Sequence, residues 1–395
     1  MKRVLIFSLA YYPSFVSGAE AAIKEITDRI DPSDIEFHML TLLFDRTAPR
    51  EETIGNVHVH RVGFGGAYLS KIFYTPLAAM KARSLDAQLH FSGIWSMMTY
   101  MLLPAVLAGF IGVRAPRVLT LQDGDPYEKV FERWFIRPLT PLLDYGFRTT
   151  SVIQVISSYL GTWPVHRGYH GKIERIHNGA NPRDLKESVS AEEVMALKQK
   201  LGKKEGDIWL VNTARLVHQK GNDDTIRALV SLPKHIKLLL VGAGPDEEML
   251  KSLTAELDVE DRVIFTGSVD RSVVTQYRKA SDIFVGPSRS EGLGNAFLSA
   301  MASKLPVVTT QEGGLAEFVY GEHDPRHAQT AWVVRKDSSE DIIDAVKDIV
   351  AHPKKVTQVG ETARQMVLEK YDWDIIAKQM RARVFGNIFA HVAGK

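Results

Sequence analysis

Short apolar runs alternate with amphipathic stretches from one end of the chain to the other, which is the pattern of parallel sheets covered by helices. In the first half, runs at 3–9, 36–43, 57–62, 87–91, 117–121, 152–156 and 172–176 predict strands. A polar, charge-rich stretch at 182–206, helical in its middle, follows and predicts an interdomain connection. The pattern then restarts, with strands expected at 208–213, 236–241, 262–265, 282–285 and 306–309, and a sixth at 331–334. Between them the spacing predicts helices such as 246–257 and 272–280. Beyond the last strand the chain reads as helix only, with Trp373 heading the final one. Such a chain predicts two doubly wound α/β halves, which bind ligands beyond the carboxyl ends of their strands and imply a cleft.

Two segments imitate membrane signals. Met1-Lys2-Arg3 followed by apolar residues to Ala10 has the outline of a short signal peptide, but Tyr11-Tyr12-Pro13 and a glycine loop come next, so a first buried strand is expected. The segment 94–113 has the length and lack of charge of a membrane span. Pro104 interrupts it and a strand-like run follows, so a helix buried on the sheet is expected there.

Composition narrows the classes. The chain has 395 residues, enough for two domains with separate cores, and its 45% hydrophobic and 24% charged content excludes a disordered or fibrous protein. Its 49 basic residues against 47 acidic ones give no general field for nucleic acid. With no cysteine there are no disulfides, thiolate metal sites or cysteine nucleophiles, which fits a cytoplasmic protein.

The candidate chemistry lies at strand ends. A loop ending Ser17-Gly18-Ala19-Glu20 opens the first helix, where Gly18 lets a ligand approach the backbone and the helix amides can face an anion; a plain turn reads the same way. In the second half a strand runs into Ala214-Arg215-Leu216-Val217-His218-Gln219-Lys220-Gly221. Arg215 and Lys220 suit a pyrophosphate there, and two solvated surface cations are the alternative. Val241-Gly242-Ala243-Gly244-Pro245 is a strand-to-helix turn without the dinucleotide spacing.

The most specific segment is Pro287-Ser288-Arg289-Ser290-Glu291-Gly292-Leu293-Gly294-Asn295. Glu291 can accept hydrogen bonds from sugar hydroxyls while the amides from Gly292 to Asn295 face an anion, or Ser290 or Glu291 can cap the helix that follows. A second glycine loop, Glu312-Gly313-Gly314, ends the next strand.

Ser17 to Glu20, Asn178-Gly179, Arg215 to Gly221, Pro287 to Gly294 and Gly313-Gly314 together resemble the family-4 retaining glycosyltransferases of the GT-B fold, across nearly the whole chain. The resemblance implies two Rossmann-like domains facing across a cleft: 1–181 on the acceptor side, a connection at 182–206, and 207–372 binding the nucleotide sugar. The last helix, 373–395, would return to the first domain. It implies that Arg215 and Lys220 hold the donor diphosphate and that Glu291 grips the donor sugar. Gly18, Gly292, Leu293, Gly294, Asn295 and Ser299 would line the donor.

Two positions depart from that family. Ser299 stands where a ribose-binding glutamate is usual, and Gln122, followed by Asp123, stands where a sugar-side histidine is often found. Gln122 can hydrogen-bond but carries no charge. These departures put the donor's identity in question and keep two alternatives open: a nucleotide-sugar epimerase on the same fold, and a non-catalytic nucleotide-sugar-binding protein.

The implied reaction is transfer from a nucleoside-diphosphate sugar to a hydroxyl acceptor with retention, in glycan or glycolipid synthesis, with no metal and no cofactor. Positioning and charge stabilisation would replace a dedicated base. Glu322-His323-Asp324, the nearest thing to a metal-ligand cluster, reads as a polar turn. The segment 64–83 joins Phe73, Tyr74, Leu77 and Met80 with Lys71, Lys81 and Arg83. That mixture suits either a helix packed on the core or peripheral contact with the inner face of a membrane, where a lipid-linked acceptor would be met.

Overall fold

The computed structural model describes residues 1–13, 16–65, 68–186 and 189–393. The chain forms two compact units, Met1–Asn178 with Trp373–Lys395, and Gly179–Asp372. The stretch 182–206, read from sequence as a connection, belongs to the second unit.

The first unit begins with strand β1 (Lys2–Phe7), helix α1 (Gly18–Thr27), β2 (Ile35–Leu42), β3 (Glu51–Ile54) and β4 (Val57–Val62). It continues with α2 (Tyr68–Leu89), β5 (Gly93–Met97), α3 (Leu102–Phe110), β6 (Arg117–Leu121), α4 (Tyr127–Phe131) and α5 (Thr140–Arg148). It then runs through β7 (Val152–Val155), α6 (Ser158–His166) and β8 (Lys172–Arg175). The sheet order is β3-β4-β2-β1-β5-β6-β7-β8, parallel throughout except for β3, which pairs antiparallel with β4. Helices cover both faces, so the central strands are apolar on both sides. Val4 and Ile6 of β1 enter one core cluster with Ile23 of α1, while Leu5 and Phe7 enter another with Tyr74 and Ala78 of α2.

Two expectations fail here, and one strand was not foreseen. The run 87–91 is no strand: its first part closes α2, and the chain pairs with β1 only from Gly93, where Ile6 sits opposite Trp95. The segment 94–113 is neither a span nor one helix, because its first part is β5 and only Leu102–Phe110 is α-helical. A strand buried on both faces carries the same unbroken apolar run as a buried helix, so periodicity does not separate them. Among the described residues no helix is long and apolar enough to cross a membrane. β3 was not expected because Glu51 to Ile54 alternate between exposed and half-buried positions at the sheet edge and offer no apolar run.

Within the segment 64–83, residues 66 and 67 lie outside the described residues. Helix α2 splits the rest: Tyr74 is buried and its hydroxyl donates to the Leu40 carbonyl at 2.8 Å, while Phe73 and Met80 are exposed.

The second unit holds α7 (Pro182–Leu185), α8 (Ala191–Lys200), β9 (Ile208–Thr213), α9 (Asn222–Leu229), β10 (Ile236–Val241) and α10 (Glu247–Glu256). It continues through β11 (Val263–Phe265), α11 (Val274–Ala280), β12 (Ile283–Gly286), α12 (Asn295–Ala302) and β13 (Val307–Thr309). β14 (Trp332–Val333), α13 (Ser339–Ala351) and α14 (Pro353–Lys370) complete it. Its sheet is parallel, in the order β11-β10-β9-β12-β13-β14. The crossover from β10–β11 to β12–β13 on either side of β9 makes the carboxyl end of β9 the switch point, where such sheets bind ligands.

The last helices, α15 (Trp373–Gln379) and α16 (Gly386–Ala393), belong to the first unit and are joined by a π-helical turn, Met380–Phe385. Phe385 is fully buried and meets Trp95 edge-on at 5.3 Å. A Cβ at Gly93 would stand 2.4 Å from Ile388 Cδ1, so the glycine lets this helix close on β5. Arg29 to Asp374 at 2.6 Å and Arg381 to Asp34 tie its rim.

Candidate functional site

In the second unit, three glycine-bearing loops follow β9, β12 and β13 and lean on one another backbone to backbone. Gly221 ends the turn after β9 with φ +65°, and a Cβ there would lie 2.3 Å from the Pro287 carbonyl oxygen. Gly313 follows β13 with φ +63°, and its Cβ would meet the Glu291 carbonyl oxygen at 2.3 Å. Side chains at these two positions would push the loops apart, and the backbone conformation favours glycine in any case. The Gly314 amide completes the joint by donating to the Glu291 carbonyl at 2.9 Å.

That packing brings Lys220 and Glu291 together. Lys220 Nζ lies 2.6 Å from Glu291 Oε1, and the Ser288 hydroxyl donates to the same oxygen at 2.9 Å. Glu291 is buried and Lys220 half-buried, so this is a charged pair at a polar, partly dry position. Glu291 is therefore engaged through its side chain and is not the cap of α12; the residue before that helix is Gly294, with φ +101°. Gly292 and Leu293 are buried, whereas Gly294 and Asn295 are half-exposed at the amino end of α12. Arg215 sits exposed just beyond the carboxyl end of β9.

Arg289 escaped the sequence reading. Its guanidinium grips Asp223 through two bonds, at 2.8 and 3.0 Å, and reaches Asp224 at 2.7 Å, while its Nη1 also donates to the His218 carbonyl at 2.8 Å. Nε binds Asp337, and the Arg289 amide donates to the Gln219 carbonyl. Burial works against these charges, yet the carboxylates hold the Arg289 proton more tightly than usual, and Arg289 in turn holds Asp223 below the ordinary aspartate range. Burial first, and the Asp223 charge next, raise Asp224. The clamp fixes both flanks of Lys220 to the loop that carries Glu291.

Ser299 is buried, and its hydroxyl is used inside the unit. It accepts from the Asn181 amide at 3.0 Å and donates to the Asn295 carbonyl at 2.9 Å.

In the first unit, Ser17 and Glu20 form a reciprocal cap on α1, with Glu20 accepting from the Ser17 amide at 2.7 Å, and Gly18 exposed as the first helical residue. This gives Ser17-Gly18-Ala19-Glu20 a local structural reason independent of any ligand. At the carboxyl edge of the sheet the Asn178 side-chain Nδ2 donates to Gln122 Oε1 at 2.7 Å. Asp123 is buried and accepts from the Thr99 hydroxyl at 3.1 Å; burial pushes its carboxyl up to about 6 although the Thr99 bonds work the other way. Glu322 and His323 lie in a turn, and among the described residues no group of three or more histidines and carboxylates is placed to hold a metal.

Residues 194–366 match the family described as glycosyl transferases group 1. An uncharacterized glycosyltransferase of Methanocaldococcus jannaschii is 24% identical over 394 residues, covering 95% of this chain and 96% of that protein. The alpha-monoglucosyldiacylglycerol synthase of Streptococcus pneumoniae is 30% identical over 346 residues, 82% of this chain and 76% of that one. Among solved structures, a sucrose-phosphate synthase from Thermosynechococcus elongatus superposes with a TM-score of 0.84 at 19% identity, covering 99% of this chain and 100% of that chain. Anabaena HepE in complex with UDP-glucose does so with a TM-score of 0.78 at 19% identity, covering both chains completely. These two share the two Rossmann-like units of the GT-B fold.

Proposed function

Because the chain belongs to the group 1 glycosyltransferases, we propose that it transfers a sugar from a nucleoside-diphosphate donor to a hydroxyl acceptor with retention of anomeric configuration. The observation that carries this reading is the Lys220–Glu291 pair, set among three interlocked glycine loops at the carboxyl ends of β9, β12 and β13. On this reading Lys220, with Arg215 beside it in sequence, faces the diphosphate, and the carboxylate of Glu291 accepts hydrogen bonds from the sugar hydroxyls. The amides from Gly292 to Asn295, at the amino end of α12, add partial positive charge where the phosphate gathers negative charge.

The step breaks the bond between the anomeric carbon and the phosphate oxygen and forms one from the acceptor oxygen to the same carbon on the same face. The electron pair of the broken bond stays on the diphosphate, which takes the acceptor's proton. Protein groups therefore serve by placing the reactants and by stabilising charge on the leaving diphosphate. Lys220 and Arg215 supply the cationic charge for this, and the donor is the only small molecule the reaction needs besides the acceptor.

Support for a nucleotide-sugar donor comes from the HepE structure, which holds UDP-glucose. The relative that makes a monoglucosyldiacylglycerol supports a lipid among the acceptors to be tested. The experiment is thermal unfolding of the whole protein against a panel of nucleotide sugars. A cognate donor at 100 times its Kd should add about 2.7 kcal/mol of stability. No stabilisation by any member would count against the reading.

A further inference from the structure

Of the eighteen large apolar side chains exposed among the described residues, six fall between residues 110 and 145: Phe110, Ile111, Trp134, Phe135, Leu139 and Tyr145. Trp134 is 82% exposed, the highest value in that set, and its ring meets Phe135 edge-on. The pair is not a loose tip, because Phe131 and Ile136 on either side are buried. Leu139 opens the way into α5, Tyr145 stands about two turns further along it, and the Tyr145 ring lies 5.4 Å from that of Phe110 at the end of α3. Arg117 ties the same two helix ends, bonding to the Thr149 hydroxyl beside Gly109. The six side chains thus include two touching aromatic pairs, Trp134 with Phe135 and Phe110 with Tyr145, on the first unit. Soluble proteins rarely leave so concentrated an apolar set uncovered without a use.

The exposed charge near these side chains is mostly basic. Arg114, Arg137 and Arg148 are exposed, and Arg83 of α2 lies alongside Gly112, next to Ile111. Two nearby aspartates are engaged within the protein: Asp144 pairs with Arg167, and Asp125 with Lys129 and Arg133. Glu128 and Glu132 are exposed as well, Glu132 just before Arg133 and Trp134, so basic side chains outnumber the acidic ones here without excluding them. Tryptophan and tyrosine with interspersed arginine favour the headgroup level of a bilayer, where ring and cation are both satisfied.

We propose that this surface docks on a bilayer containing anionic lipid, with Trp134, Phe135 and Leu139 entering the headgroup region and Arg83, Arg114, Arg137 and Arg148 meeting lipid phosphates. Of the segment 64–83 singled out by sequence alone this surface keeps only Arg83, at the end of that segment, and Tyr74 turns inward. The proposal deepens the reading of a lipid-linked acceptor, but it is tested without donor or acceptor, so either can fail alone.

The test is co-sedimentation of the full chain with phosphatidylcholine vesicles, with and without phosphatidylglycerol, at low and high salt. Binding is expected only with the anionic vesicles and should weaken with salt. Trp134→Ser with Phe135→Ser should lower the partition coefficient at least about tenfold, since each buried aromatic contributes that much. Arg137→Ala should lower it about fivefold. Both variants change exposed residues, and nucleoside-diphosphate affinity measured without vesicles should match that of the unaltered protein. Failure to bind anionic vesicles, or equal binding by the double variant, overturns the proposal. So does an unaltered protein that is dimeric in sedimentation velocity and that the double variant renders monomeric, because a second copy then covers this face.

Discussion

Lys220 Nζ stands 2.6 Å from Glu291 Oε1, a contact across 71 residues of sequence made by two loops that glycines allow to touch. Replacing Glu291 by glutamine keeps the shape and removes the charge. A hydrogen bond to a charged group is worth roughly 1.5–3 kcal/mol, so Glu291→Gln should lower turnover about ten- to a hundredfold. Unfolding should shift far less, because the pair is partly open to solvent. Steady-state kinetics beside thermal unfolding checks both, and normal turnover would remove Glu291 from the sugar.

Arg289 should act at one remove. Its bonds to Asp223, Asp224 and the His218 carbonyl hold the segment around Lys220 in place. Arg289→Ala is expected to weaken nucleoside-diphosphate binding about tenfold or more, and Arg289→Lys to restore only part of it, since one ammonium cannot replace the forked contacts. Calorimetry with the free diphosphate reads this directly. Equal affinity in all three proteins would reduce the clamp to a surface ion-pair network.

Ser299 is engaged by the Asn181 amide and the Asn295 carbonyl. Ser299→Ala leaves the Asn181 amide without its acceptor and should cost about 1–3 kcal/mol of stability. Discrimination between ribose and 2′-deoxyribose forms of the same donor should persist in that variant. Its loss would show that the serine reads the sugar ring of the nucleotide after all.

Asp123 gives a pH signature. Its carboxyl is raised from 3.8 to about 6, burial being the main cause. A raised carboxyl binds a proton more readily in the folded than in the unfolded chain. Its stabilising contribution is therefore complete below the unfolded value and is lost as pH rises through the folded one. Relative to Asp123→Asn, the unaltered protein should lose stability between about pH 4 and pH 6 and keep a constant difference above that. Denaturant titrations across the range test it, and a pH-independent difference would contradict the burial account.

Much of this was legible in the sequence because the strongest signals are local. Strands of the second unit show as short apolar runs, and β9 and β10 fall where periodicity puts them. The glycines flanking Glu291 and Lys220 marked the loops that meet. What stayed hidden depends on tertiary pairing. Arg289 and Asp223 lie 66 residues apart, and two acids at the start of a helix look ordinary until the guanidinium is seen. β5 was lost inside a longer apolar run, since its burial between α3 and the last helices leaves no alternation to read. The Ser17–Glu20 cap was visible in its spacing, but a glycine loop drew attention to ligands instead.

The most direct test is an assay of nucleoside diphosphate released from a panel of nucleotide sugars, with and without hydroxyl acceptors and in the presence of a strong chelator, with the product's anomeric configuration read by NMR. The account predicts acceptor-dependent release that survives chelation, a product with the donor's configuration, and loss of that release in Glu291→Gln. A sugar epimerised without acceptor, an inverted product, full dependence on a divalent ion, or no release from any donor would contradict it.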